Sequence, residues 1–305
     1  MLRFILFRFM QAFVTLLLVT AVRFVLVRLV GDPTHLMLPP EAREEDRQIL
    51  REQLGISDPV PVQYGRYLAE ISRADFGESY RYQQPALAVV FDRFGATATL
   101  TIAALVVACM VGLPFGILSA MWRGSWVDQL GSVLAMLGQA APPFLLGLIL
   151  LRIFAVDLGW VPSVGFGSFS HLILPAIALG WYSAAGIMRM TRSSMVDVLE
   201  SDYIKMARIK GLPSRSVVGK HALRNAALPV VTFIGLQFGV LFGGAVSVEA
   251  IFAWPGMGQL ILESIANLDY SVVQAAVLSL AFIFIVINFT LDVLYALIDP
   301  RIRHG

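Results

Sequence analysis

Six apolar runs, near residues 9–30, 98–121, 130–154, 171–192, 229–251 and 272–297, govern what this chain can fold into. Each approaches the roughly 20 residues that an α-helix needs to cross a bilayer. Hydrocarbon offers no water to satisfy backbone amides and carbonyls, so uniformly apolar runs of this length cross as helices. Only 14% of the 305 residues are charged and 57% are hydrophobic, with a mean hydropathy of +0.75. Ordinary globular domains carry about 25% charge. The expected fold class is an all-α integral membrane protein with six transmembrane helices.

Lys and Arg in the short connections set the orientation. With the N-terminus in the cytoplasm, Arg3, Arg8, Arg123, Arg189, Arg192, Arg301 and Arg303 fall inside, together with the stretch from Ser201 to Asn225. The short outer connections near 155–170 and 252–271 then carry Asp157, Glu263 and Asp269 and no Lys or Arg. The opening run starts positive and turns apolar, as a signal peptide does. It lacks a small-residue cleavage site and contains Arg23 and Arg28, which marks a retained helix. The resulting plan is an N-terminal transmembrane helix over 1–30, an external segment over 31–97, a five-helix core over 98–297 interrupted by a cytoplasmic loop at 193–228, and a cytoplasmic tail over 298–305. Within the external segment, "PPEAREEDRQILREQLG" has helix start and stop signals and polarity nearly all round, which predicts a helix exposed at the membrane surface. Arg23, Arg28 and Arg152 each carry a cost of about 2.5–3.5 kcal/mol at a bilayer centre. Arg28 and Arg152 lie near outer ends and can snorkel; Arg23, lying deeper, is expected to face protein or a water-filled cavity.

Catalytic patterns are absent. There is no His-Glu-x-x-His, no Gly-x-Ser-x-Gly and no pair of carboxylates within a turn inside a span, so no catalytic residue is assigned. "SRSVVGKH" has the outline of a phosphate-binding loop, but Ser214 stands where its first glycine belongs and His221 where Mg²⁺ needs a hydroxyl. ATP, if it is used, binds another chain. The single cysteine, Cys109, and four scattered histidines leave no metal site.

Two stretches inside spans stand out as candidate pathway or gate residues. Gly235, Gly239 and Gly243, with Gly244, form a bare helical stripe that suits close helix packing, contact with a partner subunit, or movement along a pore. Glu249 follows near the outer end, as a solvated terminus or as lining of the outer mouth. Pro142 and Pro143 predict a kink early in the third span. Beyond the fifth span, "FAWPGMGQLILESIANLDY" breaks at Pro255–Gly256 and resumes helical spacing through Leu260, Ile261 and Ile265.

The stretch "SDYIKMARIKGLPSRSVVGKHALRN" from Ser201 to Asn225 is the one long polar connection on the inside. Tyr203 to Lys210 reads as a helix, Gly211 as its stop, and Pro213 as the first turn of a new helix over Ser214 to Asn225. That second helix places Val217, Val218, His221 and Leu223 within reach of one face. Anchoring accounts for the charge alone. A short displayed helix that inserts in a groove of another protein accounts for the punctuation as well.

These residues resemble the cytoplasmic coupling loop, the EAA motif, of permease subunits in bacterial ABC importers. Lys205, Met206 and Ala207 occupy its opening positions, Gly211 its glycine, and His221 to Arg224 its closing segment. Ala207, Gly211 and Leu223 keep the general consensus. The form of the loop is similar to the first permease of the peptide/nickel group, the DppB/OppB-like type. "GDP" at 31–33, "DPVPVQYGRYL" at 58–68, "ADFGESY" at 74–80, "GGAVSVEAIFAWPGMGQL" at 243–260 and "LIDPRIR" at 297–303 agree with it. Departures are Lys220, where arginine is usual, and the arginines inside spans. The resemblance implies a type I importer permease fold in the bacterial inner membrane. It also implies a homologous second permease, two ATP-binding subunits that hold ATP and Mg, an external solute-binding protein, and surrounding lipid, with no nucleic acid and no cofactor on this chain. Lys205, Ala207, Gly211, Leu212, Pro213, Arg215, Val217, Val218, Lys220, His221, Leu223, Arg224 and Asn225 are then the coupling residues. The implied cargo is a di- or oligopeptide, with nickel or its chelates, glutathione, opine-like compounds and oligosaccharides as alternatives. An intramembrane enzyme or a stand-alone transporter is the competing class.

Overall fold

The computed structural model describes residues 2–30 and 58–298, together with Arg43, Glu45 and Gln48. The expected surface helix over 39–55, the "GDP" at 31–33, the tail beyond 298 and the side chain of Arg28 lie outside the described residues. The helices are α1 (Leu2–Val30), α2 (Val60–Ser72), α3 (Ala86–Met121), α4 (Trp126–Ala140), α5 (Pro143–Asp157), α6 (Phe169–Leu199), α7 (Asp202–Ile209), α8 (Ser214–Phe252), α9 (Met257–Ala266) and α10 (Tyr270–Ile298). Among the described residues, α1, α3, α6, α8 and α10 are long and apolar enough to cross a membrane, and α4 with α5 makes a sixth span if the bent pair is counted as one. The expected kink is sharper than a kink: the two halves meet at 101°. Ala141 precedes a proline and is held extended at φ −86°, ψ 117°, which ends α4, while Pro143 starts α5.

The chain divides into two compact units, 1–93 with 260–289, and 94–259 with 290–305. In the first, α1 lies on α2 through Phe24, which contacts Tyr64 and Tyr67 at ring separations of 5.2 and 5.7 Å. Thr20 and Tyr64 share a hydroxyl hydrogen bond of 2.9 Å. Arg23 stacks 4.9 Å from the Tyr67 ring centre and donates to the Gln274 amide oxygen. Its charge faces protein, which is one of the two surroundings its depth required. In the same unit, buried Asp269 stands just before α10, where its Oδ1 accepts from the Val272 amide at 3.3 Å and its Oδ2 from the Ser79 hydroxyl at 2.5 Å.

The second unit is organised around α6. In its most apolar stretch 67% is buried, against 33% for α3 and for α8, so α6 is the helix the others pack on. Small residues make this possible, because in lipid close packing stands in for the hydrophobic drive. A Cβ added to Gly112 would lie 2.7 Å from the Ala184 carbonyl oxygen, and one on Gly116 would lie 2.6 Å from Thr191 Cβ. Gly180 returns the contact, seated against the Ala104 carbonyl of α3. Leu100, Leu174, Leu179, Leu241, Val248 and Phe252 fill the core between α3, α6 and α8.

Candidate functional site: a basic hairpin and a buried carboxylate

The stretch from Ser201 to Asn225 is a hairpin. α7 closes with the Gly211 amide on the Arg208 carbonyl at 2.9 Å, and Gly211 sits at φ +74°, where a side chain would be strained. Pro213 stands just before α8 rather than inside its first turn, with φ −66° and ψ 142°. Two expectations change here. The second helix is not a short element ending at Asn225; it runs without interruption from Ser214 to Phe252. Its inward face also differs, because Val217–Ala222 is a π-helical turn. A wider turn brings residues five apart onto one side, so Val217 and Ala222 both point into the chain. With Ile204, Ala207, Met195, Ala120 and Ala226 they form a buried cluster. Val217, 1% exposed, is therefore interior and not a plug for a partner's groove; Ala207 is likewise interior. Val218, His221 and Leu223 are half-buried.

What faces outward is the end of α7. Ile209 is 79% exposed and Met206 54%, with Tyr203 and Leu212 exposed beside them. Around these lie exposed Lys205, Arg208, Lys210, Pro213, Arg215, Lys220 and Arg224. Lys205 pairs with Asp202 at 2.9 Å and holds that carboxyl below its usual range. Asn225 donates to the Tyr203 hydroxyl at 3.0 Å and to the His221 carbonyl at 2.8 Å, which joins α7 to α8.

A second network braces this end of the unit. Asp128, in the first turn of α4, accepts from Arg192 Nε at 2.6 Å and a second guanidinium nitrogen at 2.8 Å, from Ser119 Oγ at 2.5 Å and from the Gly124 amide at 2.9 Å. Arg123 bonds Glu200 nearby. Asp128 escaped the sequence reading, although Ser125-x-x-Asp128 before an apolar run is a helix-start pattern.

The candidate pathway residues do not converge on one site. Gly239 is buried, Gly235 half-buried, and Gly243 and Gly244 exposed with nothing within 4 Å of an added Cβ. Pro142 and Pro143 belong to the α4–α5 break. Glu249 neither lines a mouth nor meets solvent, being 0% exposed. Its Oε1 accepts from Thr97 Oγ1 at 2.6 Å, and its Oε2 from the amides of Gly258 at 2.7 Å and Gln259 at 3.1 Å. Gly256 lies against the carboxylate, with no room for a side chain. Among the described residues no group of His, Cys, Asp or Glu could hold a metal ion.

The chain matches the family described as binding-protein-dependent transport system inner membrane component over residues 112–304. It belongs to this family. Residues 1–101 match the family's N-terminal component. The glutathione transport system permease protein GsiC of Salmonella paratyphi A is 46% identical over 305 residues, covering 100% of both chains. The protein of that name from Escherichia coli K12 is 43% identical over the same length. Among solved structures, an inward-facing MetNI methionine ABC transporter shares the fold at a TM-score of 0.59 and 20% identity, over 69% of this chain and 96% of that one. An amino acid ABC transporter crystallised with histidines does so at 0.53 and 17%, over 70% and 94%. The protein is a multi-pass permease subunit of a bacterial ABC importer, with the type I permease fold.

Proposed function

We propose that the hairpin faces the cytoplasm and couples this permease to ATP hydrolysis on partner subunits. One observation carries the reading: the end of α7 is apolar and exposed, most of all at Ile209, while its back is locked into the buried cluster under the span ends. Such a tip, ringed by Lys205, Arg208, Lys210 and Arg215, suits a groove with an apolar floor and an acidic rim. Gly211 and Pro213 shape the turn, and Lys220 and Arg224 extend the polar rim. The partners are a homologous second permease, two ATP-binding subunits holding ATP and Mg, and an external solute-binding protein; this chain hydrolyses nothing. Both termini lie in the cytoplasm, with 31–97 external and 193–228 internal. The cargo is a short peptide, with glutathione favoured by full-length similarity to permeases named for it.

Ile209→Asp tests the coupling. The variant should insert and fold normally, since it alters an exposed position, yet lose both the co-purifying ATPase and uptake. Normal ATPase recovery would refute the docking assignment. For the cargo, uptake of labelled glutathione by the reconstituted complex should resist competition by nickel chelates and yield to unlabelled glutathione.

A further inference from the structure

The motif "VEAIFAWPGMGQL" forms a buried junction whose purpose the coupling hairpin does not supply. α8 ends at Phe252; Ala253 turns left-handed at φ +48°, and the Trp254 amide returns to the Glu249 carbonyl at 2.9 Å. The Trp254 indole donates to the Ala96 carbonyl at 2.8 Å. Thr97 Oγ1 accepts from the Met257 amide at 2.8 Å, so its single proton is directed at Glu249. One carboxylate thus joins the first third of α3, the far end of α8 and the opening turn of α9.

We propose that Glu249 is a positioning residue for transport: it delivers displacement entering at the hairpin to α3 and to the start of α9. α8 runs 39 residues from the hairpin turn to the junction, a rod about 58 Å long at 1.5 Å per residue. Near the hairpin, α3 and α8 already share packing through Ala120, Ala222 and Ala226. At the far end Thr97 and Glu249 join the same two helices, so both ends of the pair are tied. Both carboxylate oxygens accept, from three donors in all. A glutamine has only one accepting oxygen and would set its own N–H groups against Thr97 or against two amides. The glycines are part of the device: a Cβ at Gly258 would lie 2.5 Å from Val246 Cα and 2.8 Å from Glu249 Oε2.

The proposal rests on the coupling role of the hairpin, and the experiment separates the two. The full complex with its binding protein is reconstituted in vesicles with Glu249→Gln, Thr97→Val, Thr97→Ser or Ile209→Asp. Glu249→Gln and Thr97→Val should assemble with the ATPases and keep basal ATP hydrolysis. Their maximal glutathione uptake should fall about tenfold or more with the half-saturating concentration unchanged, the signature of an interaction that acts in turnover rather than binding. Thr97→Ser, which keeps the hydroxyl, should stay within about twofold of the unmodified complex. Undiminished uptake in Thr97→Val and Glu249→Gln would overturn the proposal. So would a serine variant as impaired as the valine, or failure of both variants to assemble, which would reduce the junction to folding alone. An unaffected Ile209→Asp would instead sink the coupling role. If the unmodified complex carries no glutathione, hydrolysis stimulated by the binding protein serves as the readout, and only the cargo assignment fails.

Discussion

Arg192→Met should damage this protein more than Asp128→Asn, although both break the same ion pair. The pair is bidentate, at 2.6 and 2.8 Å, but its members are buried unequally: the Asp128 side chain is 7% exposed and that of Arg192 32%. Removing the arginine leaves a carboxylate enclosed in protein, and uncompensated buried charges cost about 3–5 kcal/mol. Ser119 and Gly124 still donate to it, which places the loss near the lower end, about 3 kcal/mol. Removing the charge from Asp128 leaves an arginine that water can reach, so the loss is one of hydrogen bonds, about 1–2 kcal/mol. At about 2–4 °C per kcal/mol for a chain of this order, the melting midpoint falls by about 9 °C for Arg192→Met and about 4 °C for Asp128→Asn. Thermal melts of detergent-purified protein, followed by size-exclusion fluorescence at one heating rate, give both values. The double variant should cost less than the two single losses added, because the groups share one interaction. An Asp128→Asn midpoint at or below that of Arg192→Met would refute the assignment of the carboxylate as the desolvated member.

Further outcomes follow from the glycines. Gly116→Ala drives a methyl into Thr191 and the Met188 carbonyl, so it should destabilise by about 1–3 kcal/mol as overpacking does, read in the same melts. Gly211→Val must hold a β-branched residue at φ +74° and should cost about 1–2 kcal/mol. It should open the hairpin to protease, with Gly211→Asn intermediate. Gly243→Ala and Gly244→Ala meet open space and should leave the isolated subunit's stability within about 0.5 kcal/mol of the unmodified chain.

The spans were legible because length and uniform apolarity determine them, and the break at Pro142–Pro143 because two prolines leave a helix no continuation. Gly211 was legible as a stop for the same local reason. The hairpin's inner face was not. A period of 3.6 places Val217 beside Val218, His221 and Leu223, whereas the π turn sets Val217 with Ala222, and nothing in "VVGKHA" announces a wider turn. Periodicity therefore points to the start of α8 as the displayed face, while the exposed apolar side chains stand on α7. In the sequence Glu249 stands out only as a charge near a span end. One of its three donors is Thr97, 152 residues earlier, and no local pattern points there.

Asp128, Glu249 and Asp269 share a logic that distance in sequence conceals. Each lies at or near a helix break, where amides lose their intrahelical acceptors; beside a bilayer, water is a poor substitute. In each case the amides come from the local chain: Gly124 for Asp128, Gly258 and Gln259 for Glu249, Val272 for Asp269. In each case a hydroxyl completes the set, from Ser119, Thr97 and Ser79, at separations of 9, 152 and 190 residues. The acid satisfies amides at its own break, and the hydroxyl ties that break to a separate segment, α3 for Ser119 and Thr97 and the connection before α3 for Ser79. If this division holds, Ser79→Ala and Thr97→Val should leave the amides held by the carboxylates protected while loosening the segment each hydroxyl comes from. Hydrogen exchange should rise at residues 79–85, or at 96–100 together with Met257, whose amide donates to Thr97, rather than at Val272, Gly258 or Gln259. Exchange rising equally at Val272 and Gly258 would mean that acid and hydroxyl act as one inseparable cap.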